Sequence, residues 1–474
     1  MVTGQDDAGY DVVVVGGGAA GLAAAWHLRD RQVLLLESAD RLGGRMHSVP
    51  RGARWINLGC HLFPGPGSTL HGMLGDLDLR TLDIPGVKTA IAVDGRLHAS
   101  ARVETHPLTL PLTLRERISL ARAGTRLLRA VHGYFRQAAP RSGDGPLSRR
   151  TRLDAYLADR SAAEVLGPLP PRVQDLLATA GRRAASELAD QSGGVAASLF
   201  ASVWGGSNAF ATLNVDGGTG ELPRAVGAAL ADRVRLSAEV LEVAEVDGGV
   251  RVRYRTPDGE QEVRAEQVVV AVPAPVARKV VRGLPPRLDT CLREVAYGPF
   301  VSMGLLTDPL PRSRWDRVYA TTTPGSSFSM MFNHTNPVPE VARRTGASYM
   351  VYAGGAPAAA LLGESDATIE ARFTEDLLRI HPALRGRITE TVVHRWPIGN
   401  TYRRPGFDAG PLHEHAERHA GRIRLAGDYF VELGNVEQAA TTGLTAARHA
   451  RAALAPRREA RPADAGAARP GGQS

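Results

Sequence analysis

Three glycines, Gly16, Gly18 and Gly21, stand in the spacing Gly-x-Gly-x-x-Gly directly after the β-branched run Tyr10–Val15. Residues 19–29, opening on Ala19 and Ala20, are alanine-rich and predict a helix. Residues 32–37 predict a second apolar strand that ends on Glu37. In that context Gly16 makes a tight turn, Gly18 lets the backbone approach a pyrophosphate, and Gly21 lets helix and strand pack closely. The helix N-terminus supplies unbonded N–H groups and the positive end of a dipole. Glu37 stands where a carboxylate can accept both hydroxyls of an adenosine ribose. This is chemistry for holding a dinucleotide, and by itself it leaves FAD and NAD undivided.

The downstream string Glu37-Ser38-Ala39-Asp40-Arg41-Leu42-Gly43-Gly44-Arg45 resembles the E-x-x-x-R-x-G-G-R extension of the flavin amine oxidase superfamily. That group includes monoamine oxidases, protoporphyrinogen oxidases, phytoene desaturases and hydroxysqualene dehydroxylases. Asn57-Leu58-Gly59 is similar to its D-x-G segment beside the flavin, with Asn57 in place of the acid. Ala238-Glu239-Val240 sits where the family pairs a strand backbone with adenine. Leu425-Ala426-Gly427-Asp428-Tyr429 and Val436-Glu437-Gln438-Ala439 resemble the C-terminal L-A-G-D and E-G-A-x-x-S-G segments, with Gln438 for Gly and Thr442 for Ser. The resemblance implies FAD, bound non-covalently by Gly16, Gly18, Ala20, Gly21, Glu37, Arg41, Gly43, Gly44, Arg45, Gly59, Val240, Gly427, Asp428, Val436 and Glu437. Arg45 is expected to meet the pyrophosphate charge. The last helix is expected to turn its N-terminus toward the flavin, where a dipole favours the reduced anion.

The same resemblance implies an FAD-dependent oxidoreductase that takes hydride from a C–H bond and is reoxidised by O2 or another acceptor. No second Gly-x-Gly-x-x-Gly follows a strand and no Cys-x-x-Cys exists, so a separate NADPH domain or disulfide exchange is not expected. Amine oxidases of this group usually carry a lysine near flavin N5. The matching strand, residues 298–307, has none, with Ser302 near the position, and Lys88 and Lys279 are the chain's only lysines. Tyr429 resembles the L-A-G-D-Y ending of phytoene desaturases and Arg395-Trp396-Pro397 a segment of protoporphyrinogen oxidases, and these resemblances tilt the expectation toward an oxidase or desaturase of a carbon skeleton. An amine or amino-acid-derived substrate stays open, as does an isomerase or cyclase without net redox. His61 and Phe63, and Trp396, Asn400 and Tyr402, are substrate-side candidates by proximity to the motifs. The family's covalent cysteine has no counterpart near the C-terminal motif, so Cys60 is not expected to carry flavin. No metal site is expected.

The elements that must place these residues are spread along the chain. Residues 8–70, 215–285 and 390–455 are expected to form one discontinuous Rossmann-like, glutathione-reductase-like FAD domain. Residues 71–214 and 286–389 form a substrate domain of mixed sheet and helix, and 456–474 a disordered tail. The class is α/β plus α+β. Within the substrate part, residues 112–137, 147–160 and 172–189 predict helices and 301–307, 317–322, 327–332 and 348–353 predict strands. Asp247-Gly248 and Asp258-Gly259 signal hairpins. A net charge of +8 is carried by arginines dispersed among 49 acids, which argues against nucleic acid. No apolar run is long enough to span a membrane and the N-terminus lacks a signal pattern, so the expectation is a cytoplasmic protein with a small-molecule substrate, plausible company for specialised metabolism. The arginine-rich helix near 112–137 reads as a solvated face rather than a membrane contact. Oligomeric state is not legible.

Overall fold

The computed structural model describes residues 9–85, 87–100, 105–145, 148–204, 212–418 and 421–454. The expected disordered tail lies outside these residues.

The first sheet is built on Tyr10–Val15, whose last four residues, all valines, are sealed from solvent. It pairs in parallel with Val33–Leu36 on one side and with the end of the long strand Gly259–Val270 on the other. Sheet order runs Val234–Arg235, Val33–Leu36, Tyr10–Val15, Gly259–Val270, Gly249–Thr256, Glu239–Val246, and Ile423–Leu425 joins Gly259–Val270 in parallel. Both hairpins arise where expected: Val246 pairs with Gly249 around Asp247-Gly248, and Thr256 pairs with Gly259.

The helix Ala19–His27 is apolar all round and buried from Ala20 to Trp26, as an internal helix must be. Its small side chains let the last helix, Val436–Ala453, lie directly on it. At the crossing a Cβ on Gly443 would collide with the Ala20 carbonyl.

A second seven-stranded sheet runs Ile388–Tyr402, Ala296–Thr307, Ser348–Gly354, Met330–Asn333, Val318–Thr322, Val87–Val93, Arg96–Ala99. Residues 390–402, grouped by sequence with the FAD domain, hydrogen-bond to Ala296–Thr307 and so lie in this second sheet. A helical layer packs beside it. Its longest member, Leu114–Ala138, starts at a capping box between Thr113 and Glu116 and buries Leu120, Ala123, Leu127, Ala130 and Val131 on one stripe. Leu114 and Ile118 on this helix, and Leu108 before it, are exposed.

The expected helix over 172–189 is instead Pro171–Gly181, followed by a tight turn at Arg182–Ala184 and Ala185 in the left-handed region at φ 59°. The expected helix over 147–160 ends at Ala155. The helical layer is joined to the C-terminal segment by a buried polar knot. Arg150 holds Asp154 at 2.7 Å and also Glu432, whose other oxygen accepts from the Tyr134 hydroxyl at 2.7 Å.

Candidate active site

The glycine turn and the first helix N-terminus leave an opening. A Cβ on Gly18 would meet nothing within 4 Å, and one on Gly44 only the Gly18 Cα at 3.4 Å. Gly18 caps the helix without any side-chain hydrogen bond, so the first N–H groups are left to a ligand. Gly21 and Gly16 do the opposite work: a Cβ on Gly21 would strike the Gly16 carbonyl, and Gly16 itself holds φ 98°. Glu37 lies at the rim, accepting from Gly17 N–H at 2.6 Å and Ala39 N–H at 2.8 Å. Ala238 N–H donates to the Glu37 carbonyl at 2.8 Å, which brings the Ala238–Val240 segment to the same rim. An anion-tolerant helix end, an open glycine floor and a ribose-height carboxylate together fit an adenine dinucleotide.

Arg41 lies across the Gly43-Gly44 turn, donating to the Gly44 carbonyl at 3.0 Å. Arg45, whose expected role is to meet the pyrophosphate charge, binds the buried Asp428 at 2.8 Å and the Gly399 carbonyl at 2.7 Å. Desolvation works against its charge, but Asp428 overrides it and holds the guanidinium firmly protonated. This pair draws the N-terminal extension, the long strand of the second sheet and the C-terminal segment to one point. Gly427 N–H donates to the Thr442 hydroxyl at 2.9 Å, so the threonine standing for serine keeps the hydroxyl contact. Glu437 does not face the cleft with its carboxylate. Both oxygens cap the helix Thr69–Asp76, accepting from Thr69 N–H at 2.7 Å and Leu70 N–H at 3.0 Å. Val436 opens the last helix, capped by Asn435.

Gly59 is pressed between the Arg45 carbonyl and the Trp396 ring, which a Cβ there would meet at 3.3 Å. The Trp396 indole donates to the Leu58 carbonyl at 2.8 Å, and the Ser302 hydroxyl to the same oxygen at 2.6 Å. The strand position without a lysine is thus a buried serine fully engaged with backbone. Lys279 is exposed on its helix. The Cys60 thiol, pushed up to about 11 by burial, donates to the Leu62 carbonyl at 3.2 Å and stays neutral.

His61 lies 3.8 Å, centroid to centroid, from Phe332. Tyr319 and His334 complete its surroundings at 6.3 Å each, and Tyr319 donates to the His61 carbonyl while accepting from Asn214. Burial, reinforced by His334 and Arg183, drives the His61 imidazole well below its ordinary range, so it is neutral at physiological pH. His47, His394 and Trp396 form a second ring cluster, with His394 and Trp396 4.1 Å apart. Burial first, then Arg41, lowers His47 to about 4. Tyr402, in contrast, packs with Ala184, Val195 and Ala296, and Phe63 lies in the core under the first helix. The sequence reading missed His47, His334, Tyr319 and His394, which carry no local motif and meet only through strand register.

Comparison with known proteins gives this geometry a context. The family model described as "Flavin containing amine oxidoreductase" matches residues 19–451. Mouse amine oxidase [flavin-containing] B is 25% identical over 280 residues, covering 57% of this chain and 51% of that protein. Coproporphyrinogen III oxidase of Mycobacterium tuberculosis is 27% identical over 297 residues, covering 60% and 63%. The chain therefore spans about half to three-fifths of the length of these relatives. The solved structure of cyclohexylamine oxidase from Brevibacterium oxydans superposes with a TM-score of 0.74 at 18% identity, covering 94% of this chain and 99% of that one, which shows a shared fold.

Proposed function

The chain belongs to the flavin containing amine oxidoreductase family, and from that premise we propose an FAD-dependent oxidase or desaturase acting on a small or medium organic substrate. The observation that carries this reading is the convergence of the open Gly18–Gly44 floor, Glu37 and the Arg45–Asp428 pair, contributed by both ends of the chain. When bound, FAD supplies a two-electron acceptor, with O2 or another small molecule returning it to the oxidised state. The protein's own residues bind and orient. The helix N-terminus and Gly16–Gly21 turn hold the pyrophosphate, and Glu37 the ribose. Trp396, fixed by its bond to Leu58, and Gly59 shape the wall at which a C–H bond must be presented. The ring cluster of His61, Phe332, Tyr319 and Tyr352 excludes water from that wall. His61, kept neutral by burial and the neighbouring His334 and Arg183, lines the wall as an uncharged ring, and Ser302 is held by the Leu58 carbonyl. The neutral Cys60 thiol supports non-covalent flavin. Free Cys60 and Cys291 agree with a reducing, cytoplasmic location.

An amine or amino-acid-derived substrate is the second reading, favoured by the names of the mouse relative and the structural neighbour. Purified protein should be yellow, and anaerobic stopped-flow against amines, amino acids, porphyrinogens and polyenes should bleach the flavin with one class. A colourless protein that FAD cannot reconstitute would overturn the proposal.

A further inference from the structure

Where the helical layer meets the C-terminal loop, the chain closes around a cavity of about 10 Å³. Its walls include Asp154 from the helical layer, Ser192 and Gly194 at the start of the helix Gly193–Trp204, Arg403 and Phe407 beyond the second sheet, and Glu432. Backbone bonds stitch these walls together. Ser192 N–H donates to the Arg403 carbonyl at 2.9 Å, Arg403 N–H to the Glu432 carbonyl at 3.0 Å, and Gly406 N–H to the Ala158 carbonyl at 2.8 Å. The cavity is thus a built part of the junction, with room for one water-sized occupant.

Donors and acceptors around it do not balance. Asp154 accepts from Arg150 through both oxygens, at 2.7 and 3.1 Å, and its Oδ2 lies 2.5 Å from the His413 Nε2. Glu432 takes the Tyr134 hydroxyl on one oxygen and Arg150 on the other. All four carboxylate oxygens are therefore engaged. Arg403 is not: it is 7% exposed, and its Nε and Nη2 have no hydrogen-bond partner among the described residues. Its guanidinium carbon sits 4.3 Å from the centre of the Phe407 ring, another wall of the cavity, which places the unbonded N–H groups there. The Ser192 hydroxyl accepts from Val195 N–H at 3.3 Å, which leaves its own proton to donate. Gly194 lies in a first helical turn, whose N–H groups have no intrahelical acceptors. Burial pushes the Arg403 guanidinium down to about 10, with Asp154 opposing the fall and Arg150 adding to it, so the group is charged at neutral pH. A buried cation with unmade hydrogen bonds is costly. A water would have to place its own protons on acceptors already engaged, whereas a halide accepts from every donor and gives none.

We propose that this cavity is a chloride site, in which the Arg403 guanidinium, the Ser192 hydroxyl and the first turn of Gly193–Trp204 hold a small monovalent anion that locks the helical layer to the C-terminal loop. The size of the cavity excludes phosphate, sulfate and other polyatomic anions. Glu432 follows Asp428 on one loop, so the ion braces the segment that presents Asp428 to Arg45. None of the three anion-holding elements belongs to the proposed flavin cradle, and the site stands independently of that reading.

The test uses the full chain as purified, with its melting temperature measured in sodium chloride, bromide and methanesulfonate at one ionic strength. The melting temperature should rise saturably as chloride or bromide replaces methanesulfonate, as mass action requires of an ion bound by the folded state alone. Arg403→Gln should lose that rise. Ser192→Ala should keep it, with half-saturation moved to about 5-fold higher chloride, the worth of one neutral hydrogen bond. Crystals soaked in bromide should show anomalous density within hydrogen-bonding reach of the Arg403 guanidinium. A water alone at that point, a melting temperature indifferent to halide, or a saturable rise that survives Arg403→Gln would each overturn the assignment. If Arg403→Gln fails to fold, the bromide density and Ser192→Ala still decide.

Discussion

Asn57 occupies the place where the superfamily pattern has an acid, and its surroundings explain the exchange. It is 1% exposed, its amide nitrogen donates to the Cys60 carbonyl at 2.9 Å and the Gly59 carbonyl at 3.3 Å, and its oxygen accepts from Thr219 at 3.2 Å. A carboxylate has no N–H to give. Asn57→Asp should therefore cost about 2–4 kcal/mol at pH 7, by losing donors and burying charge. Urea denaturation should show that gap to wild type narrowing toward pH 5, where the introduced acid takes up a proton. Equal stability at pH 7 would refute the account. The two glycine roles separate in the same way. Gly18→Val should fold with near-normal stability yet lose most bound flavin, because its side chain enters the open floor. Gly21→Val should unfold the domain instead, because its side chain meets the Gly16 carbonyl. Flavin content and melting temperature, read together on both variants, distinguish the two. Gly16, Gly18 and Glu37 stand out in the sequence through local spacing, and Asp428 through the resemblance of Leu425-Ala426-Gly427-Asp428 to a family segment. His334 and Tyr319 do not, since their neighbourhood is created by pairing of strands distant in the chain. Arg45 and Asp428 were each singled out in the sequence, but their pairing was not, since they lie at opposite ends of the chain.

Among the elements, the last helix is tied down at two successive residues. Thr442 accepts from Gly427 N–H, and Gly443 meets the backbone of the first helix. Thr442→Ser keeps the hydroxyl and should be tolerated, while Thr442→Val should cost about 1 kcal/mol for a lost acceptor. Gly443→Val should be worse, about 3 kcal/mol or more, because the crossing cannot widen without moving both helices. Thermal denaturation of the three variants gives the order, and a Gly443→Val protein as stable as wild type would sink the packing argument. The βαβ unit and its hairpins were readable because a two-residue period switches to a helical one at glycines. The strand Ile388–Tyr402 was readable as a strand but not as a member of the second sheet. Alternation tells which residues point together and says nothing of the partner, which here follows from the pairing of Ser302 with His394. The break after Gly181 was also hidden. Helical propensity continues through Arg182-Arg183-Ala184-Ala185, and only the docking of the Ala185 carbonyl on Gly298 turns the chain.

Across the whole molecule, several histidines are buried in neutral form, and this sets how stability responds to acid. Burial lowers His334 to about 3, and His47 and His381 to about 4, from an ordinary 6.5. The unfolded chain therefore binds these protons at a pH where the folded one refuses them. Their stabilising contribution is complete above pH ~6.5. It is lost as pH falls, through about 4 for His47 and His381 and about 3 for His334. Each histidine adds about 1.4 kcal/mol per pH unit to the slope within its window. Urea unfolding between pH 6.5 and 4.5 should show this decline, and His334→Phe, which fills the ring space without a proton site, should flatten it by nearly one histidine's share. An unchanged slope in that variant would mean His334 is protonated in the fold. FAD acts on the same balance from the other side. The proposed cradle takes residues from the first turn, the Arg45 strap and the Asp428 loop, so no single segment of the unfolded chain would bind it. At a free concentration 100 times its dissociation constant it should add about 2.7 kcal/mol to stability. That increment should disappear in Gly18→Val while the share of the acid slope due to His334 and His381 persists, because neither of these two buried rings touches the glycine turn.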